Sequence, residues 1–481
     1  MPEPTVLIAS PEVSPLAQTG GLAEMVSGLA VAFNRLGVKT ALILPGYRAA
    51  LDWPGLKIVG KPLKVSLGEE TVPFTLLSGR LNSGVPFYLT QCDQYFDRPS
   101  LYGQGREVYV DNPERFAFFA KAVIASLPSL PFAPNVILGN DWHAGLIMAY
   151  LAEMGPKAPK GVFVIHNQGF LGLAPMTARA MIGLPASYYG VDGLEYYGQL
   201  SYLKAGIVFS REVVTVSPTY AREIQTPEGG NGLDGVLRFY EGKLRGILNG
   251  VDYDVWNPAT DPHIAAHYEA SDPTGKDICK KALKEEIGLK TPDNRPLFGM
   301  VTRLAAQKGL SLILESGPEF FRLGLDLVIL GSGEPWYEEQ LTLLAQEYPD
   351  QFRLILAYDA PLAHRIVAGS DFILVPSIYE PCGLIQMYAL RYGAIPVVRA
   401  IGGLNDTVRD YAGQNPAGVW DNGFKFTQFQ PWALFRAARR AVELYGRPTD
   451  FMAMRMAGMR DDFSWNASAQ AYLNLFQAVL A

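Results

Sequence analysis

The sequence predicts an α/β protein of two doubly wound domains, and three observations carry that prediction. A chain of 481 residues exceeds what one ordinary core organises. It opens as strand, helix, strand: Thr5 to Ala9 is apolar, Leu22, Val26, Leu29, Phe33 and Leu36 recur at helical spacing before Gly37, and Lys39 to Leu44 is apolar again. The alternation restarts later, with apolar runs near Leu297 to Val301, Leu325 to Leu330, Phe352 to Leu356, Phe372 to Val375 and Ile395 to Val398.

The remaining elements follow in order. From Leu56 to Tyr88 short alternating segments such as LKVSL and PFYLT predict an antiparallel excursion. Asp111 to Ile124 is rich in helix formers, and the strand Asn135 to Leu138 delivers Asn140, Asp141, Trp142 and His143 at its carboxyl end. Phe163 to Ile165 does the same for His166 and Asn167. Val213 to Val216 leads into Ser217-Pro218, a helix start, and Thr226 to Gly235 is a glycine-rich loop. Leu244 to Leu248 ends in Asn249-Gly250-Val251-Asp252. Tyr253 to Pro262 holds two prolines and little periodicity, which suits a crossing between domains. Thr274 to Gly288 reads as a charged surface helix, and Phe463 to Leu480 as a terminal helix docked on a domain surface.

Composition excludes several classes. Hydrophobic residues make up 49%, enough for buried cores, and a net charge of −6 without a basic block argues against nucleic acid. No apolar run approaches a membrane span, so no membrane partner is expected. Cys92, Cys279 and Cys382 are too separated for a disulfide framework, and the five histidines lack metal-ligand spacing. The start MPEPTVLIAS has no signal or transit pattern, so a reducing cytoplasmic location is expected.

The stretch Asp371 to Val408 concentrates the chemistry. It reads strand, loop, helix, strand, Gly-Gly turn, and in an open α/β sheet its loop residues Ser377, Glu380, Cys382 and Gly383 lie beyond the strand ends where ligands sit. Gly402 and Gly403 then open a helix whose exposed N–H groups suit a phosphate. Thr19-Gly20-Gly21 offers the same at the first helix, although glycines alone would permit only close packing. Arg303 and Lys308 follow a strand on the same carboxyl edge as Glu380, and two cations there suit a diphosphate leaving group rather than a solvated pair. Gly331-Ser332-Gly333 is a weak signal. Tyr358 ends a strand where it could stack on a base or simply pack, and a lone histidine such as His143 is more often structural. A carboxylate and an anion cradle on adjacent loops suggest a nucleotide-sugar site.

These motifs together carry a family resemblance. Thr19-Gly20-Gly21-Leu22-Ala23, Asp141-Trp142-His143-Ala144-Gly145, His166-Asn167, Thr215-Val216-Ser217-Pro218, Gly246 to Asp252, Arg303-Leu304 with Gln307-Lys308-Gly309, and Glu380-Pro381-Cys382-Gly383-Leu384 span nearly the whole chain. The chain resembles the bacterial glycogen synthases and starch synthases, retaining glycosyltransferases of family 5. That resemblance implies a GT-B fold of two Rossmann-like domains facing across a cleft: 1–245 on the glucan side, 246–460 binding the nucleotide sugar, and 461–481 a helix returning to the N-terminal domain. It implies glucose transfer from ADP-glucose or UDP-glucose to the non-reducing end of an α-1,4-glucan, with no cofactor and no metal.

The resemblance also carries roles onto matching positions. Arg303 and Lys308 would bind the donor diphosphate and stabilise it as it leaves. Glu380 would sit by the transferred glucose, and His166 would contact that glucose and hold the reactive geometry. Tyr358 would stack on the base, with Gly20, Gly21, Asn249, Cys382, Gly383, Leu384, Gly402, Gly403 and Leu404 around the donor. Gln18, Tyr95 and Asp141 would be further substrate contacts. In the family picture the acceptor attacks the face from which the diphosphate departs, so no covalent nucleophile is needed; a two-carboxylate mechanism is the alternative for retention, and Glu380 lacks the partner it requires. Three positions depart from the family pattern: Gln18 stands where lysine is usual, Glu24 where aspartate is, and Ile401 where threonine is. Those departures keep open a related glucosyltransferase with a shifted donor or short acceptor; a glucan-binding regulatory paralogue is a third reading, disfavoured by the intact Arg303, Lys308 and Glu380 motif. A phosphorylase would need a pyridoxal-binding lysine motif, which the sequence lacks.

Overall fold

The computed structural model describes residues 3–104, 107–412 and 420–481. Met1 and Pro2, on which part of the reading of the amino terminus falls, lie outside them. The chain forms two compact units, Met1–Gly250 with Trp465–Ala481, and Val251–Ser464.

The first unit is organised by the parallel strands β1 (Thr5–Ala9), β2 (Lys39–Pro45), β3 (Pro86–Gln91), β4 (Val136–Asn140), β5 (Lys160–Ile165), β6 (Glu212–Thr215) and β7 (Leu244–Gly246). Their order in the sheet is β7-β6-β5-β4-β1-β2-β3, extended past β3 by the antiparallel strands Glu70–Arg80, Lys57–Ile58 and Leu63–Leu67. Chain direction across the sheet reverses between β1 and β4. At such a switch point the loops diverge and leave a crevice at the strands' carboxyl ends. The loops after β1 and β4 carry Thr19-Gly20-Gly21 and Asp141.

The apolar stripe of α1 (Gly21–Arg35) covers this sheet, with Val26, Leu29 and Phe33 fully buried. Its outer side is closed by α2 (Trp465–Leu480), whose Tyr472 and Phe476 rings lie 6.3 and 5.6 Å from Phe33. Burying each such ring contributes about 1.5–3 kcal/mol. A side chain at Gly28 would meet Trp465 Nε1 at 2.2 Å, so the helices approach this closely only over glycine.

The second unit holds six parallel strands: β8 (Leu297–Val301), β9 (Asp326–Leu330), β10 (Phe352–Ile355), β11 (Phe372–Val375), β12 (Ile395–Arg399) and β13 (Phe424–Phe426). Their order is β10-β9-β8-β11-β12-β13, with the switch point between β8 and β11. Five of these strands are marked by apolar runs in the sequence. The sixth, β13, is only three residues long and too short for a periodic signal. Tyr253 to Pro262 docks on this unit: Asp261 accepts from Tyr392 Oη at 2.6 Å and pairs with His364 Nδ1 at 2.7 Å. Trp256 stacks between His364 and Tyr388, at 3.7 and 4.0 Å.

One helix buries part of its charge. Gly275–Glu286 is the charged surface helix expected, with Asp277, Lys281 and Glu285 exposed, but its Lys276, Lys280 and Lys284 form an inward stripe at four-residue spacing that is 1%, 6% and 2% exposed. Each ammonium has partners. Lys276 donates to Ala368 O at 2.8 Å, and Lys284 to Thr291 O and Pro292 O, both at 2.8 Å. Lys280 reaches Asp371 Oδ2 at 2.6 Å. Burial pushes the Lys276 ammonium well below the usual lysine range. Burial would lower Lys280 also, but the Asp371 carboxylate and Tyr445 outweigh it and raise the group.

Candidate functional site

In the second unit the switch-point loops bring Arg303, Lys308 and Glu380 to one edge. Lys308 Nζ pairs with Glu380 Oε2 at 2.6 Å, and Ser377 Oγ donates to the same oxygen at 3.0 Å. The two loops are sewn by backbone: Ile378 N–H donates to Gln307 O at 2.8 Å, and Gln307 Nε2 to Tyr379 O at 3.1 Å. Gly309, at φ +72°, lets the loop turn against Pro376, whose carbonyl a side chain would strike at 2.0 Å. Lys308 is thus held in place by a carboxylate. Arg303 is exposed, and among the described residues its guanidinium has no ion pair.

The second Gly-Gly turn packs against the Glu380 loop. Gly402 and Gly403 are buried, and the Gly403 N–H donates to Glu380 O at 3.3 Å and Pro381 O at 3.1 Å. A side chain on Gly402 would meet Glu380 O at 1.9 Å, and one on Gly403 would meet Cys382 O at 2.1 Å. These glycines fix the Glu380 loop by close backbone approach. Leu404 is fully buried, and Cys382 is buried as well. Gly383, at φ +70°, packs over Gln386, and Leu384 caps the helix Ile385–Arg391. Tyr358 is 92% exposed, which removes the packing alternative and leaves its ring open to a base.

In the first unit Asp141 and His166 are brought together. Asp141 begins a helix at φ +54°, a left-handed backbone unusual for a residue with a side chain, and its Oδ1 accepts the His166 N–H at 2.8 Å. Burial pushes the Asp141 carboxyl up to about 7 against the pull of the His166 and Asn167 N–H groups. His166 Nε2 lies 2.9 Å from Asn140 Oδ1, while Asn140 Nδ2 donates to Ala9 O at 3.2 Å. The amide oxygen must therefore accept, so the imidazole carries its proton on Nε2 and presents a lone pair on Nδ1. Burial lowers His166 to about 3, so it is neutral at physiological pH and positions by hydrogen bonding rather than by charge. His143 is buried and stacked on Trp142 at 3.9 Å.

Since the folded pKa of Asp141 lies above its unfolded value of about 3.9, ionising it favours the unfolded chain. Its stabilising contribution is complete below about pH 4 and is lost as pH rises through about 7. The melting temperature of Asp141→Asn should accordingly gain on wild type between about pH 5 and pH 8. A pH-independent difference would contradict the assignment.

The Thr19-Gly20-Gly21 turn is held by a residue the sequence reading passes over. Glu12 is 4% exposed, and its carboxylate accepts from Thr19 N at 2.6 Å, Thr19 Oγ1 at 2.7 Å, Gly20 N at 3.3 Å and Tyr102 Oη at 2.8 Å. Two backbone donors expected to face a phosphate are therefore engaged inside the protein. A glutamate shortly before a Gly-Gly turn is the signal the sequence offers. Gln18 is exposed, with Nε2 on Glu24 Oε1 at 3.2 Å. Tyr95 is buried and its hydroxyl donates to Glu114 at 2.5 Å, so the ring lies within the unit. Asn249 Oδ1 is buried without a hydrogen-bond partner among the described residues, an orphan acceptor that suits a sugar hydroxyl.

Comparison with known proteins agrees across the chain. Residues 5–239 match the model of the starch synthase catalytic domain, and residues 283–452 that of glycosyl transferases group 1. The chain is 44% identical over 479 residues to a glycogen synthase of Desulfatibacillum aliphaticivorans, covering 98% of each. It is 41% identical over 478 residues to a glycogen synthase of Syntrophotalea carbinolica, again covering 98% of each. Among solved structures, the catalytic domain of Starch Synthase IV from Arabidopsis thaliana bound to ADP and acarbose is similar with a TM-score of 0.90, 33% identity and full coverage of both chains.

Proposed function

Because the chain belongs to the glycogen and starch synthases, enzymes that move glucose from a nucleotide sugar onto a glucan, we propose that its donor is ADP-glucose and its acceptor the non-reducing end of an α-1,4-glucan, with retention. The observation that carries this reading is the Arg303, Lys308 and Glu380 constellation at the switch point of the second unit. Two cations are poised to offset charge as a diphosphate departs, and one of them is held in place by the carboxylate. Tyr358 stacks on the base, and Asn249 takes a sugar hydroxyl.

Glu380 is committed to Lys308 and Ser377, an arrangement that suits charge balance beside the transferred glucose and not nucleophilic attack. The acceptor oxygen therefore attacks the anomeric carbon from the face the diphosphate leaves, and the departing phosphate oxygen takes the acceptor's proton. His166 and Asp141 orient the sugar by hydrogen bonds. The charge of the leaving group falls to the two cations, so no metal is required. Three free, buried cysteines suit a reducing cytoplasm, and no helix among the described residues is long and apolar enough to cross a membrane.

The test is nucleotide release from ADP-glucose and from UDP-glucose, with and without glycogen. Glycogen-dependent release, faster with ADP-glucose, is expected; its absence with both donors and every glucan tried would overturn the proposal. In the same assay Gln18→Lys should lower the donor KM roughly threefold to tenfold by restoring the cation usual in the family at this position. An unchanged KM would show that position 18 does not touch the donor.

A further inference from the structure

The strands Glu195–Tyr196 and Gln199–Ser201 form a hairpin whose two-residue turn is Tyr197-Gly198, at φ +44° and +79°. Left-handed backbone at both central residues is the turn that matches strand twist, and it favours asparagine or glycine at the first of them. A tyrosine there is strained, and such strain concentrates at functional positions. The described residues contain three non-glycine positions of positive φ: Asp141, Tyr197 and Asn231. Asp141 belongs to the site, and the other two are physically joined to it.

The joining runs through hydrogen bonds. Gln168, two residues past His166, is fully buried and donates through Nε2 to Gly230 O at 3.1 Å. The next residue, Asn231, accepts from Tyr196 Oη at 2.7 Å, and a side chain at Gly232 would meet that hydroxyl at 2.6 Å. Tyr196 therefore anchors the hairpin to the turn that braces the His166 loop. Its neighbour Tyr197 stands outward, 79% exposed, its ring edge-on to Tyr196 at 4.8 Å.

We propose that Tyr197 is an aromatic platform for the acceptor α-1,4-glucan, a contact that a long chain makes and a short oligosaccharide largely misses. The reading rests on the glucan synthase function above. A pyranose ring is uncharged and presents an apolar C–H face, which an exposed aromatic ring binds while the phenol hydroxyl meets a sugar hydroxyl. Fixing the ring on an anchored hairpin limits the entropy lost on binding.

The experiment compares wild type with Tyr197→Ala, Tyr197→Trp and Tyr197→Asn, using maltotriose and glycogen as acceptors at saturating donor, with thermal melting alongside. In Tyr197→Ala the KM for glycogen should rise roughly threefold to tenfold, and more than the KM for maltotriose, while Tyr197→Trp retains near wild-type values. Tyr197→Asn, which relieves the turn, should melt no lower than wild type yet lose glycogen affinity as the alanine variant does. Gel electrophoresis through glycogen reads binding without turnover: Tyr197→Ala should be retarded less than wild type. Equal retardation, or equal change of KM for both acceptors, would overturn the platform. Wild type that is retarded by glycogen but releases no nucleotide would sink the synthase reading and leave the platform standing.

Discussion

Lys308→Ala should lower kcat/KM for glucosyl transfer by about 10³-fold, more than Arg303→Ala does. The reason lies in the 2.6 Å pair between Lys308 and Glu380, whose side chains are only 19% and 12% exposed. Removing the exposed Arg303 subtracts one cation from the diphosphate site. Removing Lys308 subtracts a cation and also leaves the Glu380 carboxylate uncompensated beside a polyanionic donor. Glu380→Ala alone should cost about 10²-fold, since the carboxylate holds Lys308 and faces the transferred glucose. The double variant should fall well short of the product of the single effects. Nucleotide release measured over a range of donor concentrations checks this. Equal losses in Lys308→Ala and Arg303→Ala, or strict additivity in the double variant, would show that the pair does not act as a unit.

The second large effect is on stability. Asp371→Ala should destabilise the second unit by about 3–5 kcal/mol, because it leaves two buried cations without their carboxylate. Asp371 accepts from Lys280 at 2.6 Å, from Arg455 at 3.1 Å and from the Leu297 N–H at 3.0 Å, joining three elements at the amino end of the central strands. Lys280→Met should cost less, since Arg455 still balances the carboxylate. Denaturant titration with a probe in the second unit reads both. An Asp371→Ala loss below about 1 kcal/mol would mean that water reaches the site and screens these charges.

What the sequence made legible was periodic or local. The strands Thr5–Ala9, Leu297–Val301 and Phe372–Val375 stand where their apolar runs place them. The loops carry the residues that the motifs single out: Asp141 after β4 and His166 after the neighbouring β5 in one unit, and Arg303, Lys308 and Glu380 at the switch point of the other. The partners of those loops were not legible, because they are non-local. Glu12 captures Tyr102, 90 positions away, and Gly403 donates to the Glu380 loop only because two turns approach backbone to backbone. The lysine stripe of Gly275–Glu286 reads as a solvated face by charge alone, and only distant carbonyls and carboxylates make its burial tolerable. The tyrosine at Tyr197 likewise gives no sign in sequence of the left-handed turn it occupies.

The packing of Trp465–Leu480 on α1 sets an order for biosynthesis. Phe33 is made early on the ribosome, yet its partners Tyr472 and Phe476 emerge only after the whole second unit has been translated. At translation speeds of about 5–20 residues per second, the apolar outer side of α1 waits on the order of tens of seconds for its cover. The unit synthesised first is thus the last to be completed, and through that interval it offers chaperones a surface that the finished enzyme hides.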